Sequence, residues 1–475
     1  MHSKKIPLII HGEDVFVSEA DGGILFTPNP DIPDSNHWKA QGGTPDLCRE
    51  AVESCSKAFE GWRKTAPTER RRFFNRLAQL LRVRRQELHS TIKEELQCSD
   101  TWASINVEDS IALAEQIAGL CTSGILSSTV PEVRAPGAHG VVFKEPLGVV
   151  LAIAPWNAPA ILGLRSVAAA VAAGNCAVFK GSELSPRTHY FIAKLFKDAE
   201  LPPGVVNFLV HRPQDAVEIF ETLISHPAIR KCNFTGSTRV GRYVAMRAAH
   251  YLKPVLLELG GKNFAIVLND ADLESAAQMI LEGAFLNTGQ ICMSTDIVLT
   301  TEESYPKLCA ALEKAYTSLH THATQVISIK SEERIQLLLK DAESKGASLF
   351  PQLSHNGGGL EPTIIKDLKR EMAFWEEESF GPLVGIAKVK DVDEAVETVN
   401  QCNYGLSAAI FTQSNLKMMD LGRRLNCGAV HINGPTVHDE ATLPHGGFRE
   451  SGWGRFGGHW AFEEFLQTKT VIVNA

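Results

Sequence analysis

The sequence predicts an α/β fold with two domains, each built on a parallel sheet that is covered by helices. Two stretches, 148 to about 250 and 255 to about 437, alternate short apolar or β-branched runs with helical segments. A glycine-rich join at 259–261 lies between the two stretches, and we expect the domain boundary there. The length of 475 residues also exceeds what one hydrophobic core organises, which favours more than one domain.

The elements within each stretch follow from run length and periodicity, because short buried runs favour strands and longer amphipathic runs favour helices. In the first stretch we expect strands at 149–154, 176–180, 205–210 and 231–235, and helices at 160–173 and 186–199. In the second stretch we expect strands at 264–268, 297–300, 383–389, 408–411 and 429–432, and helices at 273–286 and 331–345.

Charge and composition argue against several classes of partner. The chain carries 47 basic and 55 acidic side chains, a net charge of −8, so no broad positive surface is expected for nucleic acid. The basic run 69–85 has apolar residues at helical spacing, which predicts one solvated helix face. The longest uncharged stretch, 146–164, contains three prolines, and we expect no membrane span.

The cysteines and the N-terminus predict a cytoplasmic protein without a metal site. Ten cysteines are scattered without a C-x-x-C pair, and the chain has no H-E-x-x-H motif. This spacing argues against a disulfide framework and against a metal site, and favours a reducing compartment. No secretory signal is recognisable at the N-terminus.

Three polar residues stand in surroundings that favour chemistry. Cys292 follows a glycine on a predicted loop, and a thiolate there suits attack on a carbonyl, although a lone cysteine is more often a small buried residue. Glu258 ends an apolar run before two glycines and suits a general base, with an ion pair as the alternative. Asn157 follows a buried strand and could donate its amide to an oxyanion or simply form a turn.

Two segments could bind a nucleotide. The segment 236–241 follows a strand and begins a helix, so its amides could face a pyrophosphate, but Arg242 and Tyr243 exclude a Walker A motif. Lys180 and Glu183 follow another strand and could bind ribose hydroxyls, or could form a surface salt bridge. A carboxylate at Glu183 would repel a 2′-phosphate, which favours NAD over NADP.

Six motifs in the same order resemble the aldehyde dehydrogenase superfamily. They are Pro155-Trp156-Asn157, Lys180-x-x-Glu183, Phe234-Thr235-Gly236-Ser237, Leu257-Glu258-Leu259-Gly260-Gly261, Gly289-Gln290-x-Cys292 and Glu377-Glu378-Ser379-Phe380-Gly381-Pro382. The likeness extends to 403–407 and 446–452, and so covers nearly the whole chain.

The resemblance implies the domain plan of this family. A Rossmann-type cofactor domain would cover 1–123 and 147–259, and a catalytic domain would cover 260–450. A small β arm at 124–146 and 464–475 would join subunits into a homodimer or homotetramer.

The resemblance also implies roles for individual residues. Cys292 would be the nucleophile, Glu258 the general base, and Asn157 an oxyanion donor beside the Cys292 backbone N–H. The residues implied to hold the cofactor are Trp156, Lys180, Glu183, Gly236, Ser237, Gly241, Glu378 and Phe380. The expected reaction is NAD-dependent oxidation of an aldehyde through a cysteine thiohemiacetal and a thioester, which Glu258 hydrolyses with water.

Segments 102–107, 157–165 and 183–189 are similar to those of salicylaldehyde, benzaldehyde and vanillin dehydrogenases, which predicts an aromatic aldehyde as substrate. Trp102 could stack on the aryl ring, and Arg165 could meet a ring hydroxyl or the nascent carboxylate. The alternatives are a semialdehyde or aliphatic aldehyde dehydrogenase, or a non-catalytic NAD-binding relative.

The chain also departs from the family pattern in four places. His445 stands where many relatives carry a pocket phenylalanine. Asp296-Ile297-Val298 replaces a usual Glu-Arg pair and one further residue, so helix packing there is expected to differ. Segments 97–101 and 316–330 are shortened.

Overall fold

The computed structural model describes residues 4–32, 37–134, 136–319, 325–352 and 359–474, so part of the shortened segment 316–330 lies outside the described residues. The chain forms two compact units. The first contains Met1–Leu257, Glu440–Pro444 and Gly454–Ala475. The second contains Glu258–Asp439 and His445–Trp453. The chain passes from the first unit to the second just before the glycine-rich join.

The main sheet of the first unit has a parallel centre and antiparallel strands at one edge. Seven of its strands follow the order β11-β10-β7-β8-β9-β2-β3, in which β10, β7, β8 and β9 are parallel and β2 runs against β9 and β3. The residues of β7 are all buried, as parallel strands covered by helices require. The strands are β2 (Leu8–Ile10), β3 (Glu13–Val15), β7 (Val149–Ile153), β8 (Cys176–Lys180), β9 (Val206–Leu209), β10 (Ile229–Thr235) and β11 (Val255–Glu258).

Nine helices of the first unit begin and end at described residues, and two of them, α1 and α4, begin at a side-chain cap. Ser99, for example, accepts the N–H of Trp102 and so starts α4. The helices are α1 (Pro45–Trp62), α2 (Pro67–Val83), α3 (Arg85–Leu96), α4 (Asp100–Leu120), α5 (Pro159–Ala172), α6 (Pro186–Asp198), α7 (Ala216–Ser225), α8 (Thr238–His250) and α15 (Gly458–Glu464).

Two small sheets complete the first unit. One has the order β1-β5-β4 and is made of β1 (Lys4–Ile6), β4 (Ile24–Phe26) and β5 (Trp38–Gly42). The other is an antiparallel pair of long strands, β6 (His139–Pro146) and β20 (Leu466–Val473), whose register runs without a break from Leu466 opposite Pro146 to Val473 opposite His139.

The second unit is built on one seven-stranded sheet in the order β14-β15-β16-β13-β12-β17-β18. All neighbours are parallel except β14 and β15. The strands are β12 (Asn263–Val267), β13 (Thr295–Thr301), β14 (Ser348–Phe350), β15 (Thr363–Lys366), β16 (Leu383–Val389), β17 (Ser407–Phe411) and β18 (Ala429–Ile432), and the short β19 (Gly452–Trp453) follows later in the chain.

Helices pack on both faces of this second sheet. Alternate residues of its central strands therefore enter two different clusters, Phe264 and Ile266 in one and Ala265 and Val267 in the other. The helices are α9 (Leu273–Phe285), α10 (Tyr305–Ser318), α11 (Ile329–Ser344), α12 (Ala373–Glu376), α13 (Val392–Gln401) and α14 (Asn415–Arg424).

The fold class is confirmed, and the predicted strands and helices of both stretches lie within two residues of those observed. One local expectation differs. The basic run predicted as one helix face is divided at Arg84, whose backbone (φ −98°, ψ 16°) ends α2. Asp296 and Ile297 lie in strand β13, and Ile297 packs in a core cluster with residues of α11 and α13, so the expected difference in helix packing there stays a prediction. No helix among the described residues has the length and apolar character that a bilayer crossing needs.

Candidate active site

Cys292 lies on a tight turn at the edge of the second sheet. The preceding residues Asn287, Thr288 and Gly289 all adopt left-handed backbone angles (φ 50°, 58° and 68°). Two of the three carry side chains, and such conformations persist in proteins only where surrounding contacts impose them. The turn continues directly into β13, so the thiol is held beside the amino end of a central strand.

Asn263 fixes the backbone of this turn. Its Nδ2 donates to the carbonyls of Cys292 (2.8 Å) and Ser294 (2.9 Å), and its Oδ1 accepts the N–H of Ser407 (3.1 Å). Asn263 and Ser407 begin the neighbouring parallel strands β12 and β17, so one buried amide ties the turn to two strands. The position of Cys292 is therefore set by the sheet and not by a mobile loop.

Glu258 is held by contacts on the residues that follow it. Ser451, which is fully buried, donates its hydroxyl to the Gly260 carbonyl (2.8 Å), and its own carbonyl accepts the Leu259 N–H (3.0 Å). The Ser451 hydroxyl also accepts the N–H of Gly405 (3.1 Å). Only 1% of Glu258 is exposed, so its carboxyl group lies in an environment from which water is largely excluded.

The structure brings Glu258, Cys292 and His445 together. One ligand-type atom from each of the three lies within 4.8 Å of the others. His445 Nε2 lies 3.4 Å from Glu258 Oε1, and its Nδ1 lies 3.7 Å from Asp439 Oδ1. His445 is 8% exposed, so this histidine bridges two carboxyl groups inside the second unit.

Glu378 lies next to the same cluster. Its Oε1 accepts the Gly261 N–H at 3.1 Å, and any side chain at Gly260 would overlap its carboxyl group. Burial raises the pKa of Glu378 to about 8, and nearby Asp296 and Glu258 add to this shift, whereas the Gly261 N–H and Arg334 oppose it. At neutral pH this carboxyl group is therefore mostly protonated.

A buried ion pair contacts the backbone next to Glu378. Lys262 Nζ lies 3.0 Å from Asp296 Oδ1 and also donates to the Glu377 carbonyl at 2.8 Å. Ser379 donates its hydroxyl to the same Asp296 oxygen at 2.8 Å. Because both charges of the pair are almost fully buried, removal of either partner would leave an uncompensated charge. Asp296 thus places a paired carboxylate next to the candidate site.

The first unit contains a separate cavity of about 800 Å³. Among the residues that line it are Trp156, Lys180, Glu183, Gly236 and Ser237, which the sequence had nominated for a cofactor. Burial lowers the pKa of Lys180, and Glu183 opposes this shift, as expected for two facing charges. The cavity has the volume and the mixed polar and apolar lining of a cofactor site.

Helix α8 begins at the wall of this cavity. Ser237 precedes its first residue with an extended backbone (φ −67°, ψ 146°), and no side chain caps the helix start. Backbone amides at the start of a helix favour an anion. Gly241 does not line the cavity; it lies inside α8 and donates its N–H to Ser237.

Trp102 and Asn157 are connected within the first unit. Trp102 is 5% exposed, and its indole N–H donates to the Asn157 carbonyl at 2.8 Å. Trp102 is in turn placed by Asn106, whose Nδ2 donates to the Trp102 carbonyl at 3.1 Å. Arg165 is also buried, on α5. The tryptophan thus holds the segment that presents Asn157.

Four supporting residues escaped the sequence analysis: Asn263, Ser451, Asp439 and Lys262. Asn263, Ser451 and Lys262 act through contacts with residues distant in sequence, and Asp439 faces the nearby His445, but no recognised motif distinguishes any of them. The one available signal was the position of Lys262 and Asn263 directly after Gly260-Gly261, and of Ser451 inside a glycine-rich segment. Phe380, nominated for the cofactor, lies beside Glu378 in sequence and has a left-handed backbone (φ 43°).

The chain is similar to known proteins over most of its length. The profile of the "Aldehyde dehydrogenase family" matches residues 22–471. A vanillin dehydrogenase from Pseudomonas sp. (strain HR199 / DSM 7063) is 39% identical over 89% of each chain. A benzaldehyde dehydrogenase [NAD(+)] from Pseudomonas putida is 32% identical over 95% of this chain and 94% of the other. The crystal structure of a salicylaldehyde dehydrogenase from Pseudomonas putida G7 complexed with salicylaldehyde has a TM-score of 0.95 and 33% identity, and the match covers 100% of this chain and 99% of that one.

The pKa of Glu378 predicts how stability depends on pH. Its folded-state value of about 8 lies above the ordinary 4.5, so the folded chain holds a proton that the unfolded chain releases. This contribution to stability is complete below pH 4.5 and is lost as the pH rises to about 8. Glu378→Gln keeps the neutral form at every pH, so the variant should gain stability over wild type across that interval. The expected gain is on the order of 3 kcal/mol, allowing for partial exposure of Glu378.

The measurement is urea unfolding of both proteins at pH 5, 6.5 and 8. Glu376→Gln, which changes an exposed carboxyl group nearby, is the control and should track wild type. If the free energy of unfolding changes equally with pH in Glu378→Gln and in wild type, the raised pKa of Glu378 is contradicted.

Proposed function

The chain belongs to the aldehyde dehydrogenase family, and we propose that it oxidises an aromatic aldehyde to the carboxylic acid with NAD as the oxidant. Members of the family are oxidoreductases that act on small aldehydes with NAD(P). The proposal rests on the proximity of Cys292 to the buried carboxyl group of Glu258. The Cys292 sulfur and a Glu258 carboxyl oxygen lie within 4.8 Å of each other. A nucleophile and a base at this separation are what acyl transfer through a thioester requires.

The proposed reaction has two stages. The Cys292 thiolate attacks the carbonyl carbon, and the Asn157 amide and the Cys292 backbone N–H donate to the oxyanion of the thiohemiacetal. Bound NAD supplies the hydride acceptor, and loss of hydride from the thiohemiacetal leaves a thioester on Cys292. Glu258 then takes a proton from water, which attacks the thioester, and the acid leaves as the thiol is restored.

The cavity of the first unit fits a dinucleotide, and we assign it to the adenosine and pyrophosphate portions. Lys180 and Glu183 would bind the ribose hydroxyls, and the amides at the start of α8, near Gly236 and Ser237, would face the pyrophosphate. In the second unit, Glu378 with its neighbour Phe380 would meet the nicotinamide ribose. Glu183 favours NAD over NADP because a carboxylate repels a 2′-phosphate.

The aromatic substrate is supported by the relatives, which are named for vanillin, benzaldehyde and salicylaldehyde. Within the chain, we place Trp102, Arg165 and His445 around the substrate. Because the indole N–H of Trp102 is used by the Asn157 carbonyl, Trp102 also positions the oxyanion donor. Arg165 offers a cation for a ring hydroxyl or for the carboxylate product.

The domain plan and the assembly are also proposals. The cofactor domain is assigned to 1–123 and 147–259, the catalytic domain to 260–450, and the oligomerisation arm to 124–146 and 464–475. The arm strands β6 and β20 expose apolar side chains such as Phe143 (38%), Ile472 (56%) and Val473 (59%). An exposed apolar ribbon of this kind favours a homodimer or homotetramer. Ten unpaired cysteines agree with a reducing, cytoplasmic location.

Substitution of the two central residues separates the stages of the reaction. Cys292→Ala should form no NADH above the uncatalysed rate, because the covalent step is lost. Glu258→Gln should still release about one NADH per chain in a rapid burst, followed by turnover slowed about 100-fold or more, because hydrolysis alone is impaired. The burst and the turnover of NADH are both measured by stopped-flow absorbance at about 340 nm, where NADH absorbs, with benzaldehyde as the substrate.

Cys402→Ala is the matched control, since Cys402 is also a partly buried cysteine of the second unit. It should keep both the burst and the turnover of wild type. NADH formation that survives in Cys292→Ala refutes the nucleophile, and a Glu258→Gln variant without a burst refutes the division of roles.

The substrate class is tested by specificity constants. Benzaldehyde and salicylaldehyde should each exceed propanal in kcat/KM by about 10-fold or more, because burial of an aryl ring contributes about 1–3 kcal/mol in a closed site. Trp102→Phe should lower kcat for all three aldehydes alike if the indole N–H acts through Asn157. A preference for propanal in wild type would rule out the aromatic assignment.

The cofactor preference is tested at Glu183. Glu183→Gln removes the charge that repels a 2′-phosphate, so the ratio of kcat/KM for NADP to that for NAD should rise about 10-fold or more. Glu218→Gln, an exposed site on α7 outside the cavity lining, makes the same charge change and should leave the ratio unaltered. An equal ratio in both variants would remove Glu183 from cofactor selection.

A further inference from the structure

The cluster of Glu258, Cys292 and His445 has a second chemical capability. A sulfur, an imidazole nitrogen and a carboxylate oxygen lie within 4.8 Å of one another. Among the described residues, these three side chains form a group that could hold a metal ion. Two of the three residues are buried and the cysteine is partly buried. We propose that these three side chains form an inhibitory Zn²⁺ site, in which a bound zinc ion holds the enzyme inactive until the ion is removed.

The ligand distances fit zinc with small movements. Zinc bonds of about 2.3 Å to sulfur and about 2.0–2.2 Å to nitrogen and oxygen put tetrahedral ligands roughly 3.3–3.6 Å apart. His445 Nε2 and Glu258 Oε1 are already 3.4 Å apart. The sulfur is within 4.8 Å of both, so a shift on the order of 1 Å, which side-chain rotation supplies, completes three ligands. A water molecule would take the fourth position.

A second carboxylate faces the other ring nitrogen of His445. Its Nδ1 lies 3.7 Å from Asp439 Oδ1, so a modest movement allows the ring to donate Nδ1–H to that carboxylate. Metal-binding histidines commonly make this second contact, which fixes the ring and increases its basicity. With Nδ1–H directed at Asp439, the lone pair of Nε2 would face a Glu258 oxygen, and a cation between these two acceptors would stabilise both.

The charges of the ligand set match zinc. Cys292 as thiolate and Glu258 as carboxylate together balance the two positive charges of Zn²⁺, so the complex adds no net charge to a buried site. On binding, the thiol proton passes to the buffer and the ion gains the sulfur lone pair. Thiolate and imidazole favour zinc over magnesium, which prefers oxygen ligands and octahedral geometry.

The backbone that carries His445 is rigid. The carbonyl of Gly446 packs directly on Gly428, where any side chain would overlap it. Cys292 is fixed through Asn263, and Glu258 through Ser451, as described above. Three ligands on well-supported backbone lose little conformational entropy on metal binding, which favours tight association.

The inhibitory consequence rests on the proposed function, whereas zinc binding itself does not. An ion held by Cys292 and Glu258 occupies both the nucleophile and the base, so no thioester can form while the ion is bound. A phenylalanine in place of His445 would remove one ligand and with it the inhibition.

The test is zinc binding by the purified full-length chain at pH 7.5, measured by competition with a chromophoric chelator. Wild type should bind one Zn²⁺ per chain, and magnesium at the same concentration should not compete. His445→Phe should weaken zinc binding about 100-fold, and Asp439→Asn, which keeps all three ligands, should weaken it about 10-fold or more. Circular dichroism identifies any variant that fails to fold, in which case Asp439→Asn alone decides.

His438→Gln is the matched control, because His438 is exposed and its ring contacts that of His431, a possible competing pair 5.7 Å apart by ring centroids. This variant should bind zinc as wild type does. Zinc should also slow iodoacetamide labelling of Cys292 relative to Cys402 in the same sample, and a strong chelator should restore it.

The outcomes separate the two proposals. Zinc affinity unchanged in His445→Phe and Asp439→Asn, or lost in His438→Gln, overturns the zinc site. One equivalent of zinc bound through His445 by a chain that shows no aldehyde oxidation supports the zinc site and refutes the proposed function. An active enzyme that zinc does not inhibit at saturation refutes the inhibitory role.

Discussion

The position of Cys292 depends on one buried side-chain amide, that of Asn263. Three consecutive left-handed residues, 287–289, precede Cys292, and such a backbone is unfavourable unless its surroundings impose it. Directly after them, Asn263 donates to the carbonyls of Cys292 and Ser294. Because Asn263 begins β12 and also binds the start of β17, the sheet itself holds Cys292. The same edge of the sheet is continuous in sequence with Glu258, so Glu258 and Cys292 share one support.

The electrostatics of the second unit follow from this arrangement. Carboxyl groups at Glu258, Glu378, Asp296 and Asp439 are all buried or partly buried, and each is accommodated in a different way. Asp296 pairs with Lys262, Glu378 is neutralised because its pKa is raised, and Glu258 and Asp439 face the two nitrogens of His445. His445 therefore lies between Glu258, which we propose to act in catalysis, and Asp439, which faces the other ring nitrogen. A phenylalanine at this position would leave Glu258 in a less polar setting.

The sequence predicted the fold and the central residues because both depend on local patterns. Runs such as Val149–Ile153 are short, apolar and flanked by turns, so their strands are visible without a structure. Cys292 and Glu258 were identified from motifs next to glycines. Asn263 and Ser451 were not, because their importance arises from contacts across the fold, and an asparagine or serine near glycines is ordinarily a turn residue. The support given by Trp102 to Asn157 was likewise hidden, since its spacing suggested only an aromatic pocket wall.

The central claim is that the carbon skeleton of the substrate becomes attached to one sulfur atom. Glu258→Gln mixed with benzaldehyde and NAD, quenched in acid within the first turnover and digested, can be analysed by peptide mass spectrometry. The account predicts a single benzoyl group on the peptide that contains Cys292, absent when NAD is omitted. A benzoyl group on another residue, or NADH formed with every peptide unmodified, would contradict it.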